Sequence, residues 1–330
     1  MNILVTGGTG FLGKKLAIAL HNLGHNVTAT GRNLQIGAQL AKQGIIFLPG
    51  HLEDRTATLE SCSGQDIVFH SGAKSSLWGR YTDFYDSNVI GTRNIIDGCL
   101  GSRVQRLIHV STPSIYFDYK DRLNIHESDR LPRRSANAYA ETKRLAEVEV
   151  DKAFQAGLPV ITIRPRAIFG PGDQAIVPRL IEANRAGKLP LIRSGRAIID
   201  LTYIDNVIQA LLLCMKAPAT TLGGKFNITN GEPSSFSEVL IQLFDRLEEP
   251  IRSRTVPYQL AYWIAGMMEL AAKLSGSAEE PLLTRYSVGL LGRNQTLDIS
   301  AAREQLGYKP DISIKKGIDI YAAWYKKQHR

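Results

Sequence analysis

The chain has 330 residues, enough for about two domains of ordinary size, and its 44% apolar and 22% charged residues sit at the globular average. That composition excludes disordered, collagenous and disulfide-scaffold classes. The net charge of +9 is spread evenly, with 20 basic and 15 acidic residues up to Gly170 and 20 and 16 beyond it. The even spread lacks the basic stripe of a nucleic-acid binder, and fits an anionic small molecule or a loose membrane attraction at least as well.

Cys62, Cys99 and Cys214 lie far apart, form no CxxC pair and leave an odd count. Neither a disulfide framework nor a metal site is expected, and a reducing cytoplasm is the expected compartment. Met1–Val5 runs straight into glycines with no signal-peptide pattern. The apolar, uncharged run Val256 to Met268 is shorter than the roughly 18 residues of a membrane span.

Short, nearly continuous apolar runs alternate with helical patterns in the first half: Ile3–Val5, Val27–Thr30, Ile45–Leu48, Ile67–His70, Leu107–Val110 and Val160–Ile163. Segments such as Lys14–Leu23 and Val89–Leu100 carry a 3.6-residue period between them. This predicts an α/β fold, a doubly wound parallel Rossmann sheet covered by helices on both faces. Beyond Gly170 the rhythm is broken by Pro171-Gly172, Pro178, Gly187, Pro190 and Gly195. Residues 1–170 are therefore read as the sheet domain and 171–330 mainly as a smaller lobe, with a stretch near 196–230 returning to the sheet.

Directly after the first strand comes Thr6-Gly7-Gly8-Thr9-Gly10-Phe11-Leu12-Gly13, followed at once by an amphipathic helix. Glycines permit the tight turn and the close approach of backbone to a pyrophosphate, and the helix start adds N–H donors and a positive dipole end. The second strand ends in Thr30-Gly31-Arg32-Asn33, where an acid would bind the adenosine ribose of NAD. No acid is present and Arg32 can grip a 2′-phosphate, so NADP(H) is favoured over NAD(H).

Tyr139-Ala140-Glu141-Thr142-Lys143 puts a phenol and an ammonium at i and i+4 on one helix face. A free phenol has a pKa near 10, and a neighbouring cation joined by an oxidised nicotinamide favours its phenolate, so Tyr139 is the candidate proton shuttle. The fifth strand ends in Val110-Ser111-Thr112-Pro113-Ser114-Ile115-Tyr116, beyond the carboxyl edge where ligands of such sheets sit. Ser111, Thr112 and Ser114 all qualify chemically to hold a substrate oxygen, and position alone does not rank them.

These motifs, with Phe69-His70-Ser71-Gly72-Ala73, Asn88-Val89-Ile90-Gly91-Thr92, Arg164-Pro165 and Gly170-Pro171-Gly172-Asp173, make the chain resemble the extended, epimerase/dehydratase-like branch of the short-chain dehydrogenase/reductases. The resemblance implies that Tyr139 is the general acid/base, that Lys143 binds the nicotinamide ribose and lowers the Tyr139 pKa, and that Thr112 orients the carbonyl, with Ser111 beside it. It further implies cofactor contacts from Gly7, Thr9, Gly10, Phe11, Leu12, Gly13, Arg32, His51, Leu52, Ser71, Gly72, Ala73 and Pro165. One departure is Gly50-His51, where the branch often has Gly-Asp; His51 is then placed against the adenine. In most relatives helices around Asn88–Leu100 and Tyr139–Val150 form a dimer interface, so a homodimer is expected.

Within the branch, Lys74-Ser75-Ser76-Leu77-Trp78-Gly79-Arg80-Tyr81-Thr82-Asp83-Phe84-Tyr85, with Pro281–Tyr286 and Leu297–Ser300, is similar to the 3β-hydroxysteroid and sterol-carboxylate dehydrogenases. Among these the likeness is greatest to the OleD-type 2-alkyl-3-ketoacid reductases. A hydrophobic substrate follows, with Lys74 read as a partner for its carboxylate and Trp78, Ser114 and Arg166 as further substrate contacts. Leu260, Trp263, Ile264, Met267, Ala271 and Leu274 form one apolar helical stripe, either packed inside the small lobe or facing lipid. Attachment to a membrane surface or a multienzyme assembly stays open on that basis. The expected chemistry is hydride transfer between NADP(H) and C3 of a hydrophobic oxo/hydroxy acid. The alternatives are a sterol-type dehydrogenase, a nucleotide-sugar epimerase or dehydratase, and a non-catalytic NADPH-sensing protein.

Overall fold

A computed structural model describes residues 1–275 and 279–329. Among these, seven strands form one parallel sheet: β1 (Asn2–Thr6), β2 (Asn26–Gly31), β3 (Ile46–Pro49), β4 (Ile67–His70), β5 (Arg106–Val110), β6 (Val160–Pro165) and β7 (Lys225–Ile228). Their spatial order is β7-β6-β5-β4-β1-β2-β3. Ile3 pairs with Val27 on one side and Ile67 on the other. Alternate residues feed opposite layers. Ile3, Val5 and Phe69 enter the larger core with Leu16 and Leu20, whereas Leu4, Val68 and Leu107 enter the second core with Ile95 and Val160. Burial on both faces explains why these strands read as unbroken apolar runs. The edge strand β7 comes from beyond residue 170 and pairs with β6, Phe226 opposite Ile163.

Two helices place the chemistry. Helix α1 (Phe11–Asn22) follows β1 and buries Leu16, Ala17 and Leu20. Helix α2 (Ala138–Gln155) starts at Asn137, whose side chain accepts from the Ala140 N–H at 2.8 Å, and buries Lys143, Ala146, Glu147 and Val150. Three further helices belong to the smaller lobe: α3 (Phe236–Leu247), α4 (Tyr258–Leu274) and α5 (Arg285–Gly292). A four-stranded sheet joins Ser234–Ser235, Ile198–Ile199, Gln295–Leu297 and Arg122–Ile125, so the lobe is built from both halves of the sequence.

Of the two readings of the α4 stripe, packing inside the lobe is the one the structure does not bear out. Leu260, Trp263, Met267, Leu270 and Leu274 face outward, Trp263 being 73% and Leu274 79% exposed, while Ala261, Ala265 and Glu269 face inward. The reason is an ion pair. Buried Glu269 accepts from the Arg285 backbone N–H and from its Nε, each at 2.7 Å, turning the helix's polar edge toward α5. Among the described residues no helix is long and apolar enough to cross a membrane. Cys62, Cys99 and Cys214 are buried free thiols.

Candidate active site

Strand order reverses between β1 and β4, and a cavity of about 1310 Å³ opens there at the carboxyl ends of the strands. The glycine loop forms one wall. Gly7 adopts φ +66° and lies so close to the next strand's exit that a Cβ would stand 2.6 Å from the Gly72 Cα, and a Cβ on Gly13 would stand 2.2 Å from the Gly7 carbonyl oxygen. Side chains at either position would fill the cradle. Gly10 precedes α1 without a side-chain cap, so the first-turn N–H groups remain available to an anion. This geometry fits a dinucleotide pyrophosphate.

Gly7, Thr9, Gly10, Phe11, Leu12, Gly13, Arg32, His51, Leu52, Ser71, Gly72, Ala73 and Pro165 all line this cavity. Exposed Arg32 directly follows β2, and its neighbour Asn33 caps the following helix by accepting from the Ile36 N–H at 3.0 Å. His51 pairs with Glu53 at 3.2 Å on the same rim.

At the other end stand Tyr139, Lys143, Ser111, Thr112, Ser114 and Arg166. Burial pushes the Tyr139 phenol up to about 12, and the Thr112 side chain is the group that draws it back. Thr112 in turn donates to Ser114 Oγ at 3.0 Å, which also accepts from the Tyr286 hydroxyl at 2.8 Å. The buried Ser111 hydroxyl has no hydrogen-bond partner among the described residues. Ser111, Thr112 and Ser114 thus all stand in the same cavity wall as Tyr139.

Lys143 lies one helical turn beyond Tyr139 in α2. Its ammonium donates to the Val110 carbonyl at 2.8 Å and approaches His109 Nε2 at 3.5 Å, and burial lowers its pKa to about 8.

A buried polar chain supports the floor. The Thr92 hydroxyl donates to the Asn88 carbonyl at 2.6 Å, so it accepts from His70 Nε2 at 3.0 Å, leaving Nδ1 to accept from Thr6 Oγ1 at 2.8 Å. Burial holds His70 neutral, near 3. Asn88 accepts from the Lys74 N–H at 2.7 Å and donates to Thr142 Oγ1 at 3.0 Å, tying the loop after β4 to the helix that carries Tyr139.

A family model described as the NAD dependent epimerase/dehydratase family matches residues 3–229. The chain belongs to that family. A 2-alkyl-3-oxoalkanoate reductase of Stenotrophomonas maltophilia (strain K279a) is 38% identical over 96% of this chain and 97% of its own length. A sterol-4-alpha-carboxylate 3-dehydrogenase, decarboxylating, of Mus musculus is 30% identical over 96% and 88%. The UDP-glucuronic acid 4-epimerase of Bacillus cereus, solved in complex with NAD, shares the fold with TM-score 0.78 and 20% identity over the full length of both chains. This epimerase/dehydratase-family chain is accordingly an oxidoreductase of the short-chain dehydrogenase/reductase type that uses a nicotinamide dinucleotide.

Two substrate expectations need correction. Lys74 and Trp78 do not line the cavity, and Lys74 is held by Asp83 at 3.1 Å, which neutralises it as a carboxylate partner. Two residues that the sequence did not assign to the site line it instead. Tyr286, the last residue of the Pro281–Tyr286 stretch, reaches Ser114 from 172 positions away, and Asp200 lies between Ile199 and Leu201. Asp200 belongs to no local motif.

Proposed function

We propose that this protein is an NADP(H)-dependent oxidoreductase interconverting a 3-oxo and a 3-hydroxy group on a hydrophobic, carboxylate-bearing substrate. The carrying observation is one continuous cavity that runs from the glycine loop and Arg32, past Tyr139 and Thr112, into a chamber walled by Val239, Leu243, Leu290 and Leu291. The loop N–H groups would hold the pyrophosphate, Arg32 the 2′-phosphate, and Lys143 and Pro165 the nicotinamide end. A dinucleotide bound there supplies or accepts the hydride.

The chain's own residues handle the proton. Tyr139 gives its phenolic proton to the substrate oxygen in reduction and takes it back in oxidation, while Thr112 orients that oxygen. A phenol near 12 holds its proton firmly at neutral pH, which suits the donor role. Lys143 supplies positive charge along the same helix face, and a cationic nicotinamide would add to it, which together favour the phenolate when the reaction runs as oxidation.

NADP(H) is preferred because β2 is followed by Arg32 and Asn33, without an acid to repel a 2′-phosphate. The names of the relatives support the substrate class. Both 2-alkyl-3-oxoalkanoate and sterol-4-alpha-carboxylate place a carboxylate on the carbon next to position 3, where the chemistry occurs.

Cofactor absorbance in the presence of a 2-alkyl-3-oxo acid, a sterol 4-carboxylate or a UDP-sugar tests the reading. Net NADPH oxidation, or NADP⁺ reduction, with either of the first two is expected. Conversion of the UDP-sugar alone, without net cofactor change, would replace it by an epimerase.

A further inference from the structure

Two arginines leave the end of β6 two residues apart and meet opposite surroundings. Arg164 is buried and fully paired: its Nε donates to Glu147 Oε1 at 2.9 Å, Nη2 to Oε2 at 2.6 Å, and Nη1 to the Tyr116 hydroxyl. Arg166, 7% exposed, has no such partner. Its Nε is sealed from solvent without a hydrogen bond, and among the described residues no group accepts from the guanidinium.

Asp200 is the carboxylate whose charge is felt there, along with the Tyr286 phenol. It does not close an ion pair. Its Oδ2 accepts from the Leu297 N–H at 2.7 Å, and burial raises its carboxyl to about 6. A buried guanidinium with unmet donors is costly unless an anion meets it, and removal of its partner from a comparable pair typically destabilises by several kcal/mol. Such a group in a cavity wall is therefore arranged for a ligand.

We propose that Arg166 anchors the carboxylate of the substrate. The guanidinium lines the cavity with Ser114, Tyr139 and Tyr286, and its planar fork suits a two-oxygen acceptor. Anchoring there sets the reacting carbon against Tyr139 and Thr112 and sends the apolar remainder toward Leu243 and Leu290. Lys74, committed to Asp83, does not compete for this role. The assignment deepens the oxidoreductase reading and rests on it for the identity of the reacting group, but the anion site itself is testable without turnover.

Titration calorimetry of the full chain with saturating NADP⁺ would use dodecanoate, methyl dodecanoate and dodecanol as probes. Wild type is expected to bind the acid about tenfold or more tightly than its ester or alcohol, and Arg166→Met to abolish that margin while ester and NADP⁺ affinities change less than about threefold. Equal binding of acid and ester by wild type overturns the proposal, and this arm needs no variant to fold. A loss of NADP⁺ affinity in Arg166→Met as large as the loss for dodecanoate also overturns it, because the guanidinium would then serve a cofactor phosphate. Arg166-dependent dodecanoate binding in a protein that reduces no 3-oxo acid upholds the anchor and rejects only the reaction.

Discussion

Lys143 donates from its buried ammonium to the carbonyl oxygen of Val110 at 2.8 Å, anchoring the middle of α2 to the exit of β5. Burial lowers its pKa from 10.5 to about 8. The unfolded chain keeps that proton to a higher pH than the native chain, so this site adds native stability as pH rises from about 8 to 10.5. The stability difference between wild type and Lys143→Met, followed by urea unfolding across that window, should shift toward wild type by about 1–3 kcal/mol. A pH-independent difference would show that the ammonium is not desolvated.

Tyr139→Phe keeps the ring in its buried site and removes only the transferable proton. Turnover should fall by about three orders of magnitude or more, at the strong end of general acid–base effects. NADPH binding, read by fluorescence, should change by less than about threefold. A variant with near-normal turnover would remove Tyr139 from the mechanism.

Arg32 at the end of β2 sets the proposed cofactor preference through charge. Arg32→Asp should reverse it, lowering kcat/KM for NADPH by about a hundredfold relative to NADH, since both a grip on the 2′-phosphate is lost and a repulsion added. Unchanged relative use of the two cofactors would assign the rim to other groups.

The buried Glu147–Arg164 pair carries a large structural penalty if broken. Glu147→Gln leaves the guanidinium without its anion and should cost about 3–5 kcal/mol in chemical denaturation. Arg164 holds the Glu147 carboxyl below its usual value of 4.5, so the paired state stabilises above that pH and fades as pH falls. The gap between wild type and variant should narrow below about pH 4.5.

On α4 the inverted face yields a contrast between neighbours. Trp263→Ser alters a side chain that is 73% exposed and should shift stability by no more than about 0.5 kcal/mol. Ala265→Leu forces bulk into a position with 0% exposure and should cost about 1–3 kcal/mol. The reverse ranking in thermal unfolding would mean that the helix sits the other way round.

Much of this protein was legible along the chain because the decisive signals are local. A strand–glycine–helix order places the cofactor loop within 13 residues, the Tyr139–Lys143 spacing is one helical turn, and the parallel strands declare themselves by short apolar runs buried on both faces. The side of the sheet on which Thr112 meets Tyr139 followed from the rule that ligands sit at strand carboxyl ends. Other features depended on partners remote in sequence. Whether Lys74 was free or held by Asp83, and whether Arg164 or Arg166 found a carboxylate, could be decided only by the packing of separate elements. The same holds for α4, whose apolar stripe left core packing and outward facing both open until Glu269 met Arg285 and turned that stripe outward. Local sequence sets which conformations and charges are available, but the pairing of a buried charge is a long-range event, because the folded chain settles which acid reaches which base.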